Sequence, residues 1–372
     1  MKTNEDIEVV HNPLDKKRYS NIDLLKTMAI FMVIVLHSGL LHTNFIAIKS
    51  SASYIEFAIR LIMEGVPIFI IVNGFLLINK EFDLKKHLRK TLNIFILLII
   101  WSFMYVIISS LIFNNPLDIK NVFKEVITTN ISSKYTGILW FLQNLIALYL
   151  LFPVLKVLHD KDKKIYNYLF IIITIFTVGI NFLSLINNII EIKTGWSGIK
   201  YLLSYISKFN IVTNGYFVFY FMLGGYIFEN KNKLKFRVNN KKTIVIVILG
   251  LVAWILSIIY GIYVSKLQNK MIGDSFNYST VFLCITILAL YCLTSNYQNT
   301  GNIINKVIES IGKNSLGIYL VHMLVIRILK MIQFPQYIFI QRLGFTVLVF
   351  IVSYIIVILI KKIPFVNKIV SL

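Results

Sequence analysis

The chain has 372 residues, of which 57% are hydrophobic, with a mean hydropathy of +0.75. That share exceeds what a soluble domain carries and, with apolar runs of about 20 residues recurring along the length, excludes a soluble enzyme or a nucleic-acid module. The net charge of +21 fits a topology signal, because Lys and Arg fall mostly in short linkers between apolar runs. The expected class is an all-α polytopic membrane protein of about ten transmembrane helices.

Before the first span, residues 1–20 are polar, and no small-residue cleavage site follows the first apolar run, so a short cytoplasmic tail is expected. Ten spans are predicted: 22–43, 57–79, 92–113, 138–158, 166–187, 211–229, 243–265, 278–295, 315–332 and 343–362. The membrane domain then covers 21–363, and 364–372 form a second cytoplasmic tail. With the N-terminus inside, inner segments carry 25 of the 38 Lys and Arg, so both termini are expected in the cytoplasm.

Span one, NIDLLKTMAIFMVIVLHSGL, has a charged entrance at Asp23 and Lys26 and a histidine, His37, far along its apolar body. Eleven helical residues return to nearly one azimuth, so Lys26 and His37 share a face, roughly 16 Å apart. A polar stripe on an apolar helix is costly in lipid and should face protein or water. Span two reads MEGVPIFIIVNGFLLI: Pro67 suggests a kink, Gly65 and Gly74 close packing, and Arg60 stands at pairing distance from Glu64, which serves either in an ion pair or as an acid. Its cytoplasmic side leads into KEFDLKKHLRK, with Lys86 and Arg89.

Span four begins GILWFLQNLIALYLLFP, where Trp140 suits an interfacial anchor and Gln143 and Asn144 suit bonds between helices. Segments 188–210 and 266–277 are longer outer connections. Cys284 and Cys292, eight residues apart on one helix and so about 12 Å apart, are too distant for a disulfide. In span nine, KNSLGIYLVHMLVIRIL, His322 lies near mid-membrane with Ser315 on almost the same face. His11, His42, His87 and His159 are expected to be solvated.

These features describe a cytoplasmic mouth lined by cations (Lys26, Lys86, Arg89, Lys313), a polar stripe, and a histidine suited to acid–base work because its pKa lies near neutrality. Such a mouth suits an anionic ligand. No P-loop or dinucleotide fingerprint is present, and the two in-membrane histidines lack an evident third metal ligand, so no metal is expected.

The ordered set of motifs resembles the membrane acyltransferase type 3 family, integral membrane O-acyltransferases of bacterial surface glycans. Asp23, Lys26 and His37 match its opening pattern, although Lys26 stands where Arg is usual. GVPIFIIVNGFLL matches with Asn73 replacing Ser, Lys86 and Arg89 match the basic segment, LWFLQNLIALYLLFP matches without an acidic residue, and IGKNSLGIYLVH ends on His322. The resemblance implies transfer of an acyl group, commonly acetyl and sometimes succinyl, from acyl-CoA to a hydroxyl of a glycan or lipid-linked sugar in the bacterial cytoplasmic membrane. It makes His37 and His322 the catalytic candidates and Lys26, Lys86 and Arg89 the CoA contacts. The rival readings are a polysaccharide exporter or flippase without acyl transfer, and a sensory domain descended from the enzyme. Partners are then acyl-CoA, membrane lipid and the sugar acceptor, with no nucleic acid; nothing in the sequence sets the oligomeric state.

Overall fold

The computed structural model describes residues 18–112, 136–208, 215–237 and 240–371, and every regular element among them is helical. Among the described residues, eight helices are long and apolar enough to cross a bilayer: Ser20–Ser38 (α1), Leu84–Ile112 (α5), Gly137–Lys161 (α6, with its first turn 3-10), Lys163–Thr194, Lys241–Leu267 (α11), Asp274–Thr294, Ile303–Met331 (α13) and Phe339–Lys362 (α14). Lys163–Thr194 divides into α7 (Lys163–Thr174), a π turn (Ile175–Gly179) and α8 (Ile180–Thr194). The α-helical part of Asp274–Thr294 is α12, Val281–Thr294. The protein is an all-α, multi-pass membrane protein.

Two predicted spans take a different form. The stretch 57–79 breaks at 61–64 into α3 (Ser51–Arg60) and α4 (Gly65–Leu77), while α10 (Tyr216–Glu229) represents the sixth span, whose residues 211–214 lie outside the described ones. Pro67 therefore does not kink a continuous helix. It sits in the first turn of α4, where a missing N–H loses no intrahelical bond. Both short helices are under the length that spans about 30 Å of hydrocarbon. They lie instead inside the bundle, where protein and not lipid surrounds them.

Glycine makes that placement possible. A Cβ at Gly74 would fall 1.8 Å from the Phe221 carbonyl oxygen, and one at Gly224 would fall 2.1 Å from that of Ile71, so α4 and α10 pack backbone to backbone. Around this pair stand α1 and α13, whose apolar windows are 56% and 61% buried, whereas those of α7–α8 and α14 are only 22% and 28% buried and present apolar side chains to lipid. The amphipathic helix α9 (Gly198–Ser207) follows α8 as a separate element in the connection expected there, and buries none of its residues. Beyond α14 the chain turns back into the bundle, where Val370 is buried and Trp101 Nε1 donates to the Ile369 carbonyl at 2.7 Å.

Several polar residues find partners that sequence alone misplaces. His87 is buried, with Nε2 2.7 Å from the Tyr149 carbonyl, and His159 is half-buried against Glu229 (2.7 Å) and Asp160 (3.0 Å); neither is the solvated histidine expected. Asn144 donates to the Trp140 carbonyl of its own helix. Both cysteines are free.

Immediately after α1, Gly39 closes the helix in the left-handed region (φ 83°), and the chain beyond is fastened by Arg342. Its Nε donates to the Leu40 carbonyl (3.0 Å), its Nη2 meets Glu56 (2.6 Å) and its Nη1 lies 3.0 Å from His42 Nδ1. Both charged partners are buried, so removing one leaves the other uncompensated. Arg342→Met is expected to cost about 3–5 kcal/mol, read as a lowered melting temperature in detergent, with partial recovery in Arg342→Met/Glu56→Gln. A single variant as stable as the parent would contradict this role.

Candidate functional site

The packing of α1 on α13 builds the site. Gly312 meets the backbone of Asp23, where an added Cβ would stand 2.9 Å from the Asp23 Cα, and Thr27 donates to the Ile308 carbonyl at 3.1 Å. This contact sets the polar stripe of α1 facing the polar stripe of α13. On α13 the residues Ser315, Tyr319 and His322 recur at intervals of four and three, which places them on one face.

The two histidines come together: their ring centroids are 5.5 Å apart, tilted by 48°. His322 is fully buried, and its Nδ1 bonds the Tyr319 carbonyl one turn back, so Nδ1 is the donor and Nε2 keeps its lone pair. Among the described residues that Nε2 has no hydrogen-bond partner. His37, in contrast, keeps an accessible side chain, and the charge of Arg60 acts on it. One imidazole therefore reaches the surface of the bundle and the other stands behind it.

Below the pair lies a cavity of about 290 Å³ walled in part by Lys26 from α1, Lys90 from α5, Lys313 from α13 and Lys361 from α14. Tyr319 and Phe141 also line it, as do Val370 and Ser371 of the returning segment. Lys313 is shared with Glu309 at 2.5 Å. Asp23 is taken by Arg18 at 2.7 Å, and makes no salt bridge to Lys26. Among the described residues Lys26, Lys90 and Lys361 have no carboxylate within salt-bridge distance; Lys90 rests over the Tyr149 ring at 5.5 Å. Three lysines without a salt-bridged carboxylate in one cavity have the chemistry that suits a polyanion. Asn73 lines the same cavity, held by a bond from the Tyr149 hydroxyl (3.0 Å) and its own bond to the Phe69 carbonyl (2.9 Å).

Lys86 and Arg89 do not line this cavity. Lys86 is 85% exposed and paired with Asp83 at 3.2 Å, and Arg89 is exposed. Hydrogen bonds from Lys86 hold the Asp83 carboxyl below its usual range. The reason is helical phase: the inward face of α5 runs through His87, Thr91 and Ile94, and Lys90 borders it while Arg89 is turned about 100° further round. Lys90 and Lys361 were readable only as topology charges, and Tyr319 only as a residue one turn before His322. Glu64 is the buried partner of Arg60, with its other oxygen, Oε2, unpartnered among the described residues. No group of three or more His, Cys, Asp or Glu that could hold a metal stands together among the described residues.

This geometry predicts asymmetric access. In a Cys284→Ser/Cys292→Ser background, His37→Cys is expected to react with a water-soluble maleimide in the folded protein and His322→Cys to stay unreacted. Equal labelling of both would contradict the arrangement.

A family profile described as an acyltransferase domain matches residues 19–362, and no curated protein or solved structure matches the chain. The matched region runs from just before α1 to the last residue of α14 and holds both histidines and all four cavity lysines within one domain. The chain belongs to the acyltransferase type 3 family and is a multi-pass membrane acyltransferase.

Proposed function

We propose that the protein moves an acyl group, acetyl or succinyl, from acyl-CoA to a hydroxyl of a surface glycan or lipid-linked sugar in the bacterial cytoplasmic membrane. The observation that carries this reading is the nearness of two features: a lysine-walled cavity lined by Tyr319, and the histidine pair, with His322 against the Tyr319 ring and His37 beside it. CoA is a polyanion joined to a long uncharged arm ending in the thioester. Its phosphates match Lys26, Lys90, Lys313 and Lys361, and the arm would run past Tyr319 toward the imidazoles. Lys86 and Arg89, exposed on the same helix as Lys90, are positioned for the outlying phosphate at the mouth. The excess of basic residues on this side supports a cytoplasmic mouth.

In the proposed step the acceptor hydroxyl gives its proton to His37, the accessible imidazole. The oxygen bonds to the thioester carbonyl carbon, the carbon–sulfur bond breaks, and the imidazolium returns a proton to the departing thiolate. His322 packs behind His37, its tautomer fixed by the Tyr319 carbonyl. General acid–base catalysis of this kind contributes about 10²–10⁴-fold.

The test uses the purified protein in nanodiscs with radiolabelled acetyl-CoA and glycan acceptor. His37→Ala is expected to lower turnover by about 10²-fold or more while acetyl-CoA still binds. Lys26→Ala/Lys90→Ala is expected to raise the KM for acetyl-CoA about tenfold with kcat nearly kept. Undiminished transfer in His37→Ala, or a KM for acetyl-CoA indifferent to both lysines, would overturn the assignment.

A further inference from the structure

A second hollow, of about 360 Å³, opens where the π turn between α7 and α8 meets the start of α10 and the segment before α12. Its polar lining is Thr177, Asn181, Ser184, Tyr216, Asn277 and Ser279, and among the described residues no Lys, Arg, Asp, Glu or His lines it. The contrast with the lysine cavity is chemical. Amides and hydroxyls that both give and accept hydrogen bonds, next to an aromatic ring and free of charge, recognise a neutral polyhydroxylated ligand. Its size falls within the range of small-ligand pockets.

Two further observations point to an occupant. The π turn Ile175–Gly179 supplies Thr177 to the hollow and precedes Asn181, and such turns within α-helices occur frequently at functional sites. Asn181 Oδ1 is buried with no hydrogen-bond partner among the described residues, a costly state for an amide oxygen unless a ligand donor meets it. Asn277, in contrast, is exposed, and its Oδ1 already accepts from the Ser279 amide at 2.9 Å.

The hollow is joined to the histidine pair by a row of rings. Tyr216 lies 5.5 Å from Tyr278, and Tyr278 stacks on Trp140 at 6.2 Å with 17° between planes. The next residue, Phe141, lines the lysine cavity and packs on Tyr319 at 5.4 Å, and Tyr319 lies 5.8 Å from His322. The hollow's Tyr216 is thus two ring contacts from Trp140, the chain neighbour of Phe141 in the lysine cavity.

We infer that this hollow is the acceptor subsite, binding uncharged sugar of the acceptor beside the unit that is acylated. The assignment to an acceptor rests on the acyl-transfer reading; the sugar binding itself does not. The test is saturation-transfer NMR on the full protein in nanodiscs, using chitotetraose as the neutral probe and tetragalacturonate as the anionic one. The expected result is binding of chitotetraose alone, weakened about tenfold by Asn181→Ala/Asn277→Ala and abolished by Ser184→Trp, with acetyl-CoA binding unchanged in both variants. Asn181→Ala removes an oxygen that has no hydrogen-bond partner among the described residues. No transfer to chitotetraose, equal binding of tetragalacturonate, or indifference to both variants would overturn the inference. Variant-sensitive chitotetraose binding without any acetyl transfer would leave the sugar site standing and remove the acyltransferase mechanism.

Discussion

Polar groups carried on apolar helices must be kept out of lipid, and much of this bundle follows from that constraint. Lys26 and His37 on α1, and His322 on α13, can be accommodated only if the two helices face each other. Gly312 against Asp23 allows that approach, and α4 with α10 fills the space beside it through reciprocal glycine contacts. The short lengths of α4 and α10 follow from the same placement, because helices enclosed by protein need not match the hydrocarbon thickness. The more lipid-exposed helices, α7–α8 and α14, carry the apolar outer surface.

Charge is then distributed by depth. At one end the lysines converge on a cavity in which the nearby acids are already occupied: Asp23 by Arg18, Glu309 by Arg18 and Lys313. That leaves positive potential available to a ligand instead of spending it within the protein. At the other end Arg342, Glu56 and His42 close a buried network that fixes the chain leaving α1, and so fixes His37 in its last turn. A family profile spanning 19–362 takes in both histidines and the four cavity lysines, and only the wall formed by Val370 and Ser371 lies beyond it.

Much of this was legible in the sequence where it depends on one helix alone. The shared face of Lys26 and His37 is a matter of residue spacing, and the spacing of Ser315 and His322 is another. Arg60 and Glu64 pair as their separation suggested. Legibility fails where several helices must be placed together. Lys90 reaches the cavity and Arg89 does not, a distinction set by which face of α5 packs inward. Lys361 enters from the far end of the last helix, and His87 is buried by Tyr149 from another span, neither of which leaves a local pattern. The break before α4 shows a third case: Pro67 signals irregular backbone equally well as a kink or as a helix start, and the Arg60–Glu64 contact across the break accompanies the second outcome.

The central claim is that this site transfers an acyl group through His37. It is tested most directly in matched cells lacking the gene, or carrying the wild-type or His37→Ala protein, by mass spectrometry of base-labile acyl esters on wall and capsular glycans. The account predicts that one acyl mass disappears in both the null and His37→Ala cells, with the variant present in the membrane. Unchanged acylation together with glycan accumulating inside the cells would contradict it.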